Sequence, residues 1–178
     1  ARPGPARCPR TEMISRARRS GFRVTLVTSG WGLEPARLES WPGLTIRASL
    51  HGLTAASWRA LHPRQSASGL GEILGRLAEA TALGVRVEAY HVLCRDNYRE
   101  AGEAVSLGRQ RGFARTSFRP FLPFPGGESL EIPAAERGEL AQALEEARQR
   151  GREHAHPVSI EGFPPAVTPP PAAAPRLP

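Results

Sequence analysis

The sequence predicts an α/β domain built on parallel strands. Three observations carry that expectation. Short apolar or β-branched runs alternate with helix-length segments. Five helix segments each end at or beside a glycine, and the next run follows: Gly21, Gly43, Gly84, Gly112 and Gly151. The runs also lean apolar, as parallel strands covered by helices do. Alternation of this kind means right-handed parallel crossovers. Two architectures satisfy it, a β/α barrel, complete or partial, and an open doubly wound sheet. In both, chemistry belongs at the C-terminal ends of the strands.

Residues 1–10 are rich in proline and are expected to be irregular. Thr11 is placed to cap a helix running to Ser20, with Arg16, Arg18 and Arg19 at the end where positive charge suits the dipole. Gly21 stops it, and residues 22–27 form the first strand. A short helix over 35–41 leads to a strand over 44–50. A helix over 70–83 leads to a strand over 85–93, one over 98–111 to a strand over 113–119, and one over 134–150 to a last strand over 158–161. The domain therefore covers residues 11–162. Residues 163–178, FPPAVTPPPAAAPRLP, are expected to be a disordered or polyproline-like tail.

A formal charge of +7 invites a nucleic-acid partner. The pattern argues against one. All 24 basic residues are arginine, the composition resembles a GC-rich coding bias, and the arginines are scattered rather than striped. The two cysteines, Cys8 and Cys94, form neither a disulfide framework nor a metal-ligand spacing, as expected of free thiols in a reducing cytoplasm. No apolar run reaches the roughly 18 residues of a membrane span, and no signal peptide is visible. The expected location is cytoplasmic.

The strand ends supply the candidate residues. Thr28, Ser29 and Gly30 offer hydroxyls and backbone amides to a carboxylate or an adenosyl group, although an ordinary strand-to-helix turn uses the same residues. Ser49 ends the second strand, where its hydroxyl suits either a ligand or the cap of the next helix. Arg59 and Arg64 follow it, each able to grip a carboxylate bidentately or to stand in solvent. Asp96 and Asn97 read as caps for the helix at Tyr98, which leaves Arg95 as a looser ligand candidate. Tyr90 and His91 face opposite sides of one strand. Gly126-Gly127-Glu128 reads as a plain turn. His154 and His156 lack a third metal ligand by spacing. No phosphate loop, nucleophile elbow or zinc-protease helix is present.

Taken in order, V-T-L-V-T-S-G, then I-R-A-S-L-H-G, then A-L-G-V-R-V-E-A-Y-H-V-L-C-R-D-N, the chain resembles the core of radical S-adenosylmethionine (SAM) enzymes over residues 11–125. The resemblance implies a partial six-stranded β/α barrel that is open on one side. It implies reductive cleavage of S-adenosylmethionine by a [4Fe-4S] cluster, with an unknown small-molecule or peptide substrate. It places Ser49 near the cofactor's polar atoms, Thr28-Ser29-Gly30 at the same mouth, Arg64 at the methionine carboxylate and Leu122 near the adenine. The chain departs from the family's pattern at its N-terminal side. The C-x-x-x-C-x-x-C loop, the strand that carries it and a Gly-Gly-Glu motif ahead of the first helix are absent, Gly126-Gly127-Glu128 falling at the wrong end, so this chain is expected not to ligate the cluster. It is expected to be a fragment or a degenerate relative. Two other readings stay open. One is a non-catalytic binding or scaffold domain. The other is a cofactor-free β/α enzyme using Asp96, Glu128 or His51.

Overall fold

The computed structural model describes residues 9–38, 41–64, 66 and 69–163. The expectations for residues 1–8 with Cys8, and for the tail from residue 164, lie outside the described residues. The elements run α1 (Pro9–Arg19), β1 (Thr25–Thr28), α2 (Pro35–Leu38), β2 (Thr45–Ser49), α3 (Ala55–Leu61), α4 (Gly69–Ala82), β3 (Arg86–Leu93), α5 (Ala101–Gln110), β4 (Arg115–Pro120), α6 (Arg137–Glu153) and β5 (Val158–Ile160). Short 3₁₀ turns precede α5 and α6.

All five strands are parallel, and their order in the sheet is β1-β2-β3-β4-β5. A doubly wound sheet reverses direction at a switch point, and the described strands show no such reversal. With right-handed crossovers a steadily advancing order puts the connecting helices on one face of the sheet.

The side chains bear this out. Ile46, Ala48, Val87 and Ala89 point to the helices and pack with Ile73 and Leu77 of α4. Phe118 does the same with Val105 of α5 and Leu144 of α6. Burying one such aliphatic side chain contributes about 1.5–3 kcal/mol. The alternate residues, one position along each strand, face away from the helices and form an open face.

Gly21, Gly43, Gly84 and Gly112 all take positive φ between a helix and the following strand. The Gly21 turn shows the closing bonds, with the Phe22 N–H reaching the Ala17 carbonyl and the Gly21 N–H reaching that of Arg18. The fifth junction differs from the expectation. Helix α6 runs through Gly151 to Glu153, and Ala155 takes the left-handed conformation at φ 48°. Gly151 serves close packing instead. A Cβ there would lie 2.6 Å from Val158 Cγ2 and 3.1 Å from the His156 carbonyl oxygen. The first strand also begins later than expected, at Thr25, and leaves Phe22 exposed. Helix α3 lies where only a connection was expected. A capping box starts it, with Thr54 Oγ1 accepting from the Ser57 N–H and Ser57 Oγ accepting from the Thr54 N–H.

Candidate functional site

Strand pairing brings residues from distant parts of the chain into rows across the open face. Ser49 pairs with Tyr90, Tyr90 with Ser117, and Ser117 with Ser159. Four hydroxyl side chains thus lie side by side on consecutive strands, all half-buried. Ser159 donates to Glu161 Oε1 at 2.6 Å. The other three have no hydrogen-bond partner among the described residues. One step toward the strand starts, Arg47, Glu88 and Arg115 form a second row. Arg47 Nη2 donates to Glu88 Oε2 at 3.3 Å, and Arg86 Nη2 to Glu88 Oε1 at 3.0 Å. The Arg47 guanidinium sits 5.9 Å from the Tyr90 ring centre, and its buried Nε lacks an acceptor. Burial alone would raise the Glu88 pKa, but the bonds from Arg86 and Arg47 overcome this and hold the carboxyl below its ordinary value.

Past the strand ends, polar side chains fix the loops. Asn97, buried, donates from Nδ2 to the carbonyls of His51 at 3.0 Å and Val92 at 2.9 Å, and its Oδ1 accepts from the Cys94 N–H at 2.8 Å. It does not cap the following turn, contrary to the sequence expectation. Its side chain ties the β3 tip to the β2 tip instead. Glu100 completes the tie. Its carboxylate accepts from the Leu53 N–H, from Thr54 Oγ1 and from Ser57 Oγ. The segment after Ser49 is therefore held from two sides.

The expected site residues all lie at this end of the sheet. Thr28 Oγ1 accepts from the Gly30 N–H at 3.0 Å, so that amide is already engaged. Gly30 is buried at φ +80°, and a Cβ there would come within 2.8 Å of Ile73 Cγ2. Ser29 is the exposed member of the turn. Arg64 is exposed, in the connection from α3 to α4. That connection belongs to the tip end, because α4 starts against Trp31, just past β1. Leu122, beyond β4, is 76% exposed. The sequence singled out Ser49 but not Ser117, Arg47 or Arg115.

The remaining candidates resolve into structural roles. Tyr90 faces the open side and His91 the helices. His91 is buried against Phe118, and burial, with His51 nearby, pushes its pKa down to about 3. His51 Nδ1 accepts from the Val92 N–H, and burial lowers its pKa, followed by the charge of His62. It is a neutral acceptor rather than a free base. Glu128 closes its own turn by accepting from the Gly126 N–H. His156 bonds Thr116 at 2.9 Å beneath α5. Arg95 lies 4.0 Å from Glu136, and Arg59 Nε donates to the Ala55 carbonyl.

The donor set among the described residues does not suit an iron–sulfur cluster. The chain has two cysteines. Cys94 is buried, and burial lifts its thiol above the ordinary range, away from the thiolate a metal requires. Among the described residues no three His, Cys, Asp or Glu side chains gather at a common point. The unengaged hydroxyls of Ser49, Tyr90 and Ser117 beside the half-exposed Arg47 form a polar patch able to bond ribose hydroxyls or a carboxylate.

No family model and no curated protein matches the sequence. Solved structures do match the fold. Streptococcus suis SuiB bound to S-adenosylmethionine aligns with a TM-score of 0.65 at 14% identity, over 85% of this chain and 34% of that one. SuiB alone aligns at 0.67 and 11% identity, over 86% and 36%. SuiB bound to its precursor peptide SuiA aligns at 0.67 and 13% identity, over 85% and 35%. At such identities the likeness concerns the fold. The chain spans about a third of the length of the SuiB chains it matches. Among the described residues, no helix is long and apolar enough to cross a membrane.

Proposed function

We propose that this chain is the S-adenosylmethionine-binding half-barrel of a radical SAM protein that acts on a peptide or small molecule. One observation carries the reading most. The five-stranded parallel sheet matches SuiB, crystallised with S-adenosylmethionine, along 85% of this chain, and its open face is polar where strand ends gather. The ordered sequence motifs point to the same family independently. Ser49 is the hydroxyl that meets the cofactor's polar atoms, with Thr28, Ser29 and Gly30 at the same mouth. Arg64 is the partner for its carboxylate, and Leu122 the apolar cover for its adenine. SuiB has been crystallised with a precursor peptide, which favours a peptide as the substrate here.

In the family, S-adenosylmethionine supplies a radical when a [4Fe-4S] cluster reduces it. The sequence has two cysteines, and among the described residues no three ligand side chains gather, so this chain offers no three-thiolate set for that cluster. What this chain contributes is binding and orientation. The Asn97 and Glu100 ties hold the Ser49 tip, and the sheet presents the hydroxyl row to whatever lies on it.

The test is calorimetric titration of the chain with S-adenosylmethionine. One-to-one binding is expected, weakened about five- to tenfold in Ser49→Ala, the effect of one hydrogen bond of about 1 kcal/mol or slightly more. No binding, or binding unchanged by Ser49→Ala, refutes the assignment.

A second reading has its own observation. The outer edge of β1 is unpaired among the described residues, and Val27 beside it is 62% exposed. A bare edge accepts another strand. A scaffold role, completed by a strand from elsewhere, follows from that edge without any cofactor.

A further inference from the structure

We infer that the open face selects a peptide carrying two acidic side chains, received by Arg47 and Arg115. The inference deepens the reading above, because it rests on the open face being the side that meets substrate.

Four arginines, Arg47, Arg86, Arg115 and Arg119, face this side, against two carboxylates, Glu88 and Glu161. The ion pairs leave positive charge over. Arg47 and Arg86 share the single carboxylate of Glu88, and Arg119 takes Glu161. Arg115 is exposed and makes no ion pair within 4.0 Å among the described residues; its charge reaches Glu161 only at longer range, and Arg119 already binds that carboxylate. Arg47 is bonded through Nη2 only, at 3.3 Å, and its side chain is 43% exposed. The accessible part of the guanidinium keeps donors free for an anionic oxygen.

Spacing separates a peptide from a small acid. Arg47 and Arg115 lie in one register row with Glu88 between them. Two strand spacings put them about 10 Å apart, too far for one carboxylate. Same-side acidic side chains two residues apart on an extended peptide start about 7 Å apart, at about 3.3 Å per residue, and the long glutamate and arginine side chains span the rest. Glu88 between them repels a third negative group and fixes the spacing. The unpartnered hydroxyls of Tyr90 and Ser117, one step along, are free to bond the peptide's backbone.

The test uses the full 178-residue chain and fluorescent probe peptides of alternating glycine and glutamate, with alternating glycine and glutamine as the neutral probe. The acidic probe is expected to bind at least tenfold tighter. Arg47→Gln with Arg115→Gln should abolish that preference, and Arg115→Gln alone should weaken it about threefold. The single variant replaces an exposed, unpaired residue, so it keeps the test valid if Arg47→Gln disturbs folding. Removing the same charge from α1, with Arg16→Gln and Arg19→Gln, should leave binding unchanged. Equal loss in the α1 variant would show general attraction to a basic protein and overturn the inference. So would equal binding of the glutamine probe, or tighter binding of a single-stranded oligonucleotide at physiological salt. S-adenosylmethionine is titrated in parallel. Cofactor binding without any acidic-peptide preference overturns this inference and leaves the cofactor reading standing. An Arg115-dependent preference without cofactor binding does the reverse.

Discussion

Replacing Asn97 distinguishes two roles that the sequence alone confuses. A residue just before a helical turn reads as its cap, and aspartate caps as well as asparagine. In the structure Asn97 is instead a buried clamp, with two donor bonds to carbonyls and one acceptor bond from an amide. Asn97→Ala leaves the Cys94 N–H without its acceptor and removes a donor from the carbonyls of His51 and Val92. A buried group left unsatisfied costs about 1–3 kcal/mol, so a total of about 2–4 kcal/mol is expected. For a chain of this size that lowers the melting temperature by about 5–15 °C. Asn97→Asp is the sharper variant. It keeps an acceptor for Cys94 but sets a negative carboxylate against two carbonyl oxygens, so its loss should match or exceed that of alanine. Urea unfolding gives both values, with the slope m checked for constancy. An aspartate variant as stable as the parent would restore the capping role and refute the clamp.

Other substitutions probe the same framework. Glu100→Gln halves the acceptor capacity that holds Leu53, Thr54 and Ser57, and should cost about 1–2 kcal/mol in urea unfolding. Gly151→Ala gains helix propensity of about 1 kcal/mol, but its Cβ would lie 2.6 Å from Val158 Cγ2, so net destabilisation of about 1–2 kcal/mol is expected. A stabilised alanine variant would mean that β5 can move away. His91 carries a pH prediction. Its folded pKa is depressed to about 3, so the unfolded chain binds the proton more readily between pH 3 and about 6.5, and its share of stability falls as pH drops through that window. Between pH 7 and 5 the loss from this group is about 2 kcal/mol. His91→Leu should flatten unfolding measured across that range, and an unchanged slope would show that His91 is not held neutral. Glu88 acts lower. Its depressed pKa gives stability present above about pH 4.5 and lost as pH falls through the folded value, and Glu88→Gln should remove that acid-side dependence.

The helix–glycine–strand rhythm was legible because each signal is local. Gly21, Gly43, Gly84 and Gly112 stand where the chain needs positive φ, and sequence periodicity marks what lies on either side. Gly151 misled for a physical reason. A glycine is also wanted where a helix presses on a strand, and here the left-handed turn fell to Ala155. Helix α3 is only seven residues long, so periodicity had little to act on, although Thr54 and Ser57 already spelled its capping box. The site was legible one strand at a time. Alternation put Ser49 on a face opposite Ala48. That Ser49 stands beside Tyr90 and Ser117, and Arg47 in a row with Glu88 and Arg115, depends on register between strands tens of residues apart. No local pattern states that offset.

The central claim is that S-adenosylmethionine binds at the C-terminal strand tips and the adjoining open face. Amide NMR spectra of the labelled chain, recorded with and without S-adenosylmethionine, test it most directly. Shifts are expected at Thr28–Gly30, Ser49–Leu53 and the amides around Asn97, with Gly21, Gly84 and Gly112 at the opposite end unmoved. Shifts at those three glycines, or no shift at any tip residue, would contradict it.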